Sequence, residues 1–379
     1  MSDSVNISSA PETDAVSREM HGHGAGTARD SWLHNAEAAA SLIIALGGLI
    51  AMLASHAVLP EGPVADWILD CLVPFQLPVF YFCLGYLYQR YRTVRTRGNW
   101  GLNMRRELVL MGAPFVAFTV LELAANSVAG IQPGLSAKEV VDALLIHPID
   151  PVGYFYTCLI IYAITPTVAS RRNARWLLVA AATAKIALVT LDSIPTTAAF
   201  AAHLPYAVTS VAENWIWVAG GMALALYRGL PVLRGREKAW ALGALWMAAS
   251  VITYAAGWIG EPAHVVLDAL GVLWFASLFS TVFREGRTNR FFAFVTRYTM
   301  AIWLFHAICL KLYFWVLGLA GIAAGASPWL VGIGALTACY AAPVGIMWVL
   351  AHVGKAGFIV YPARYLPPLP AALKRKLAR

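Results

Sequence analysis

The chain is expected to be an all-α membrane protein, a bundle of ten transmembrane helices, and three features predict it. Ten apolar runs, at roughly 36–58, 66–88, 108–130, 152–169, 176–192, 208–227, 239–258, 263–283, 299–318 and 328–352, each approach the ~20 residues that cross the hydrocarbon of a bilayer. Composition agrees: 59% of the residues are hydrophobic and 13% charged, with a mean hydropathy of +0.64, far from a soluble globular average. The cations alternate as well. Of the 28 lysines and arginines, 25 fall in the two tails or in every second gap between runs. Because cytoplasmic loops carry the Lys/Arg excess, this alternation puts both termini and the basic gaps inside an inner membrane, and the other gaps outside.

Taken in order, residues 1–35 are polar, Gly- and Ser-rich and without periodicity, which predicts a disordered cytoplasmic tail with no signal-peptide core. Its His21 and His23 lack the further ligands a metal needs. The first run is alanine-rich and ends in LASHAVLP, with His56 near its outer end. The second, DWILDCLVPFQLPVFYFCLGYLY, contains Pro74 and Pro78, each of which removes a backbone donor. Lipid tolerates that only where neighbours or water satisfy the freed carbonyls, so a broken second helix beside a cavity is expected. A basic gap follows with Arg90, Arg92, Arg95, Arg97, Arg105 and Arg106, then the third run, then an outer gap whose single cation is Lys138. Arg171, Arg172 and Arg175 separate runs four and five; Arg228, Arg234, Arg236 and Lys238 separate six and seven; Arg284, Arg287, Arg290 and Arg297 separate eight and nine. Residues 36–352 thus read as one membrane domain, and 353–379 as a proline-punctuated basic tail whose Lys374, Arg375, Lys376 and Arg379 rest on anionic lipid.

The formal charge of +8 does not point to nucleic acid, because the cations sit in bilayer-facing loops without aromatic interleaving; membrane lipids are the expected neighbours. Cys71, Cys83, Cys158, Cys309 and Cys339 lie in or beside the runs without a CxxC spacing and read as packing residues. Ionisable groups inside hydrocarbon mark function by default. Those at or within the runs include His56, Asp70, Glu122, Lys185, Asp192, Glu213, His264, Asp268, His306 and Lys311. Several stand close enough to a boundary to reach the interface. Lys185 does not: it lies near the middle of WLLVAAATAKIALVTLD and must face the bundle or a wet cavity, either pairing with an acid or meeting substrate.

The stretch PFQLPVFYFCLGYLY resembles the second helix of the acyltransferase-3 family, integral membrane enzymes that O-acylate sugars and envelope polymers. The likeness continues in order through Arg105-Arg106 with LVLMGAPFVAF, through GYFYTCLIIYAITP from Gly153 to Pro166, through Asn214-Trp215 with GGMALALY, and through Tyr298 with AIWLFHAICL. The last of these sets His306 on a family histidine. The resemblance implies a ten-helix bundle of acyltransferase-3 type. It also implies a cytoplasmic acyl-CoA donor (acetyl-CoA or succinyl-CoA), with no bound cofactor or metal, and a polysaccharide acceptor, an exopolysaccharide or cellulose, handled beside a polysaccharide synthase or export complex.

The first helix departs from that family. Its members carry an arginine eleven residues before a histidine on one face; aligned from Trp32, this chain has Glu37 and Gly48 there, and Gln76 replaces the second-helix histidine. Acyl transfer from a thioester to a hydroxyl needs a base, a role neutral histidine fills near pH 7, and arginine suits donor phosphates. The catalytic candidates are therefore His306 and His56, and the substrate-binding candidates Gln76, Arg105, Arg106, Tyr154 and Lys185. A noncatalytic subunit or transporter handling a glycan or lipid-linked sugar is the rival expectation. Topology can be checked directly: reporter fusions after Gly98 and Gly286 should read cytoplasm, those after Gly62 and Gly134 should read outside, and an active periplasmic reporter at Gly98 overturns the assignment.

Overall fold

The computed structural model describes residues 30–60, 62–92, 94–131, 135–258, 260–284, 289–320 and 327–366. Residues 1–29, with His21 and His23, and the terminal Lys374, Arg375, Lys376 and Arg379 lie outside the described residues. The described chain is all-helical. Its main elements are α1 (Ser31–Ser55), α2 (Pro63–Tyr91), α3 (Arg97–Val128), α4 (Gly153–Ile164), α5 (Arg171–Ser193), α6 (Tyr206–Tyr227), α7 (Arg236–Ala255), α8 (Glu261–Val282), α9 (Arg290–Leu319) and α10 (Pro328–His352). Seven of these, all but α4, α6 and α7, are long and apolar enough to cross a membrane, which makes this a multi-pass membrane protein. Each of the ten overlaps one of the ten apolar runs of the sequence.

The helices alternate in direction, and the basic connectors gather at one end. Three helices that start there are each opened by a side chain accepting a backbone N–H of the first turn: Thr96 from Asn99 at 3.2 Å, Ser170 from Asn173 at 3.2 Å, and Asn289 from Phe292 at 2.8 Å. The same end is tied by Arg90 to Asp30 at 3.2 Å, by Tyr91 to Asp30, and by a buried pair, Arg92 and Glu107, at 3.0 Å. Residues 353–366 fold into short 3-10 turns against this end, burying Val360 and Tyr361, so part of the expected tail is docked on the bundle.

The second helix is broken, as its prolines predict. It runs α-helical over Pro63–Trp67, widens to a π-turn over Ile68–Leu72, breaks at residues 73–75 and resumes over Gln76–Tyr91. Pro74 sits in the break. Pro78 does not kink the chain, because it falls in the first turn of the new segment, where a missing donor costs nothing. Gln76 repairs the gap: fully buried, it donates its side-chain N–H to the Leu72 carbonyl at 2.6 Å. At the break Phe75 is driven between Trp246 of α7 and Phe275 of α8, each at 4.9 Å between centroids, over the bare backbone of Gly271.

Helix α4 is shorter than the run at 152–169 suggests. It stops at Ile164, since Thr165 precedes Pro166 and is forced into extended backbone, and its 12 residues rise only ~18 Å. The extended stretch after it is buried in protein, not in lipid. Gln89 clasps Val168 with two bonds, at 2.8 and 2.9 Å, Thr167 accepts from and donates to Val94, and Tyr88 donates to the Thr165 carbonyl. Irregular backbone at membrane depth requires this kind of satisfaction.

Where α2 crosses α6 the two backbones touch. A side chain on Gly85 would collide with the Val218 carbonyl, and one on Gly221 with the Phe82 carbonyl. Since overpacking typically costs about 1–3 kcal/mol, and backbone cannot yield as a side chain can, Gly85→Val should lower the thermal midpoint of the detergent-solubilised protein and its membrane abundance. Gly101→Ala, which meets nothing within 4 Å, should leave both unchanged.

Candidate functional site

A cavity of about 540 Å³ opens at the end opposite the basic connectors, between the ends of α1, α3 and α9 and the start of α10. Its wall includes Met52, Ser55 and His56 of α1 and its cap, Lys311, Phe314 and Trp315 of α9, Ile131 and Val331. The sequence places His56 here by ending α1 at Ser55: the ring caps that helix and stacks on Phe314 at 4.0 Å and 21°. Nδ1 lies 2.9 Å from the Met52 carbonyl and 3.2 Å from the Ser55 hydroxyl. A carbonyl only accepts, so Nδ1 is the donor and Nε2 of the neutral ring carries the lone pair.

Lys311 enters the same cavity from α9. Its ammonium is 2.6 Å from Glu122 of α3, whose carboxylate is fully buried, and the lysine side chain keeps 18% of its surface. Glu122 thus holds the ammonium in place, with its own second oxygen, Oε1, enclosed and unbonded. The wall therefore combines a proton acceptor, a fixed cation and an aromatic face, a set able to seat a hydroxylated ring, accept its proton and neutralise a developing oxyanion.

The other expected site residues are elsewhere. His306 lies halfway along α9, which begins nine residues before the apolar run, at Arg290. Buried, it donates Nδ1 to the Trp303 carbonyl at 2.7 Å, and its other edge abuts Gly48, where an added Cβ would stand 3.3 Å from Nε2. The two histidines are not one site, and His306 is absent from the cavity wall. Tyr154 packs in an aromatic cluster with Tyr81 at 4.8 Å and Trp303 at 5.1 Å. Lys185 is buried and 3.9 Å from Glu213 of α6, so it has the acidic partner that its depth demands. Arg105 is exposed and Arg106 half-buried on α3 at the basic end, beside Glu107. Gln76 repairs the α2 break. The structure therefore brings together His56 and Lys311, which the sequence places among the ionisable groups of the apolar runs; the usable signal is Glu122, a mid-run acid in need of a cation.

Comparison with family models, with curated proteins and with solved structures finds no match in any of the three. The geometry itself gives a test. Removing one partner of a buried ion pair costs about 3–5 kcal/mol while replacing both is far milder, so Lys311→Met should markedly lower the thermal midpoint, and Lys311→Met combined with Glu122→Leu should recover much of the loss. Equal midpoints for the two variants would show that the pair is not coupled.

Proposed function

We propose that this chain is a membrane-bound O-acyltransferase, a ten-span bundle of the acyltransferase-3 type in an inner membrane with both termini in the cytoplasm. It moves an acetyl or similar acyl group from a cytoplasmic thioester to a hydroxyl of an exported or cell-surface polysaccharide. The observation that carries this reading is that His56 and Lys311 line one cavity at the end opposite the basic connectors. The ordered resemblance across the chain supports it, and so does the collection of arginines at the other end, which by charge faces the cytoplasm.

In this reading the acceptor sugar enters from outside and lays its ring against Trp315, with its hydroxyl toward His56. Nε2 of His56 takes its proton as the oxygen attacks the acyl carbonyl, which the cytoplasmic donor has to present at this end through the bundle, and Lys311 sits opposite the charge that builds on the carbonyl oxygen. The new C–O ester bond forms, the C–S bond breaks, and the proton held on His56 passes to the departing thiolate. The helical caps and the Lys311–Glu122 pair hold these groups before substrate arrives.

One observation favours the noncatalytic alternative, a subunit or transporter that holds a glycan or lipid-linked sugar. Glu37 and Gly48 occupy the positions of the family's arginine and histidine, and His306 is packed against the bare backbone of Gly48. Deletion of the gene separates the readings. Polymer from the deletion strain should lose saponifiable acyl groups without shortening its backbone; intact acyl content together with a solute that no longer crosses the membrane would establish transport. Within the enzyme reading, His56→Ala should cut transfer by the ~10²–10⁴-fold of a missing general base at normal membrane abundance. His306→Ala should instead reduce abundance along with activity, as loss of a buried polar bridge destabilises a bundle. Parental transfer by His56→Ala would remove it from the mechanism.

A further inference from the structure

The docked segment at the basic end carries an arrangement that acyl transfer does not use. Tyr361, 1% exposed, donates its hydroxyl to the Arg297 carbonyl of α9 at 2.9 Å. The Arg364 guanidinium lies over the same ring, 4.4 Å from its centroid, and its Nε is enclosed with no hydrogen-bond partner. Among the described residues neither arginine is paired with a carboxylate, whereas Arg90 and Arg92 at the same end each hold one. Burial, and to a lesser degree the like charge of Arg297, pushes the Arg364 guanidinium below the usual arginine range. Tyr361 thus brings the Arg364 guanidinium, with an unused donor, beside the turn of α9 that carries Arg297, and two cationic residues set there without an acid form an arrangement that an anion completes.

We propose that Arg364, held over Tyr361, and Arg297, on the turn of α9 whose carbonyl receives the Tyr361 hydroxyl, bind a phosphate group at the membrane face of the basic end. Guanidinium forks match the paired oxygens of a phosphate, and cation–π contact with Tyr361 holds one fork without neutralising it. Two molecules present such a group at this face: an anionic phospholipid and a soluble acyl donor bearing a phosphate. The site stands independently of the outer cavity, since a lipid headgroup would fill it whether or not that cavity is catalytic.

The full-length protein is placed in phosphatidylcholine nanodiscs, and its thermal midpoint is followed while phosphatidylglycerol replaces part of the lipid or coenzyme A is added. The parent should be stabilised by one of the two, phosphatidylglycerol identifying a lipid site and coenzyme A a donor site. In Arg364→Gln and in Arg297→Gln, half-saturation should need about tenfold more of that probe, the loss expected for one charge-assisted contact, with Arg364→Lys between them and the parent. The probe-induced shift is compared, not the absolute midpoint. Should the variants not fold, the parent alone decides: phenylglyoxal modification of Arg297 and Arg364, mapped by peptide mass, should be slowed by the same probe. A parent that responds to neither probe, variants that respond as the parent does, or unprotected arginines would overturn the proposal.

Discussion

Hydrocarbon offers no hydrogen bonds, so each backbone or charged group that leaves water in this bundle has to find its partner in the protein. That constraint explains the unusual features of the fold together. Gln76 closes over the carbonyl stranded by the α2 break, Gln89 clasps the extended chain after α4, and the buried acids Glu107 and Glu122 each meet a cation from another segment. Helix α3 carries both acids, one toward each end, and so links the basic end to the cavity at the opposite end through a single rigid element.

Much of the architecture was legible in the sequence because hydropathy and charge are properties of segments. Each apolar run became a helix, and the break at Pro74 appeared where the missing donor required it. Lys185 likewise found an acid, Glu213, as its depth in the run demands. Segment properties failed where neighbours decide. The shortness of α4 follows from Pro166, but its tolerance follows from Gln89 and Val94, some 73 to 79 residues away in the chain. The extension of α9 to Arg290 lies beyond its apolar run, and docking of Tyr361 on Arg297 has no periodic signature at all.

The candidate site was less legible for the same reason. His56 was visible as a histidine near the end of an apolar run, but the partner that gives it chemical meaning, Lys311, reaches the cavity only because Glu122 stands 189 residues away in sequence and 2.6 Å away in space. Gly48 shows the converse. In sequence it reads as the loss of a family histidine; in the structure it is the gap into which His306 packs, so the two positions are sterically complementary.

The first helix has its most distant partners at the far end of the chain. Asn35 bonds Thr296, Leu42 accepts from Tyr340, and Ala45 accepts from Cys339, contacts that join residues 261 to 298 positions apart. The ribosome makes α1 first and α9 and α10 last, so α1, although α2 packs beside it through Trp32 and Tyr86, gains these partners only late in synthesis. The contacts that tie α1 to α9 and α10 can form only once those two helices have been made. A chain stopped before α9 would present buried amides and acids to lipid, the kind of exposure by which membrane quality control recognises an unfinished protein.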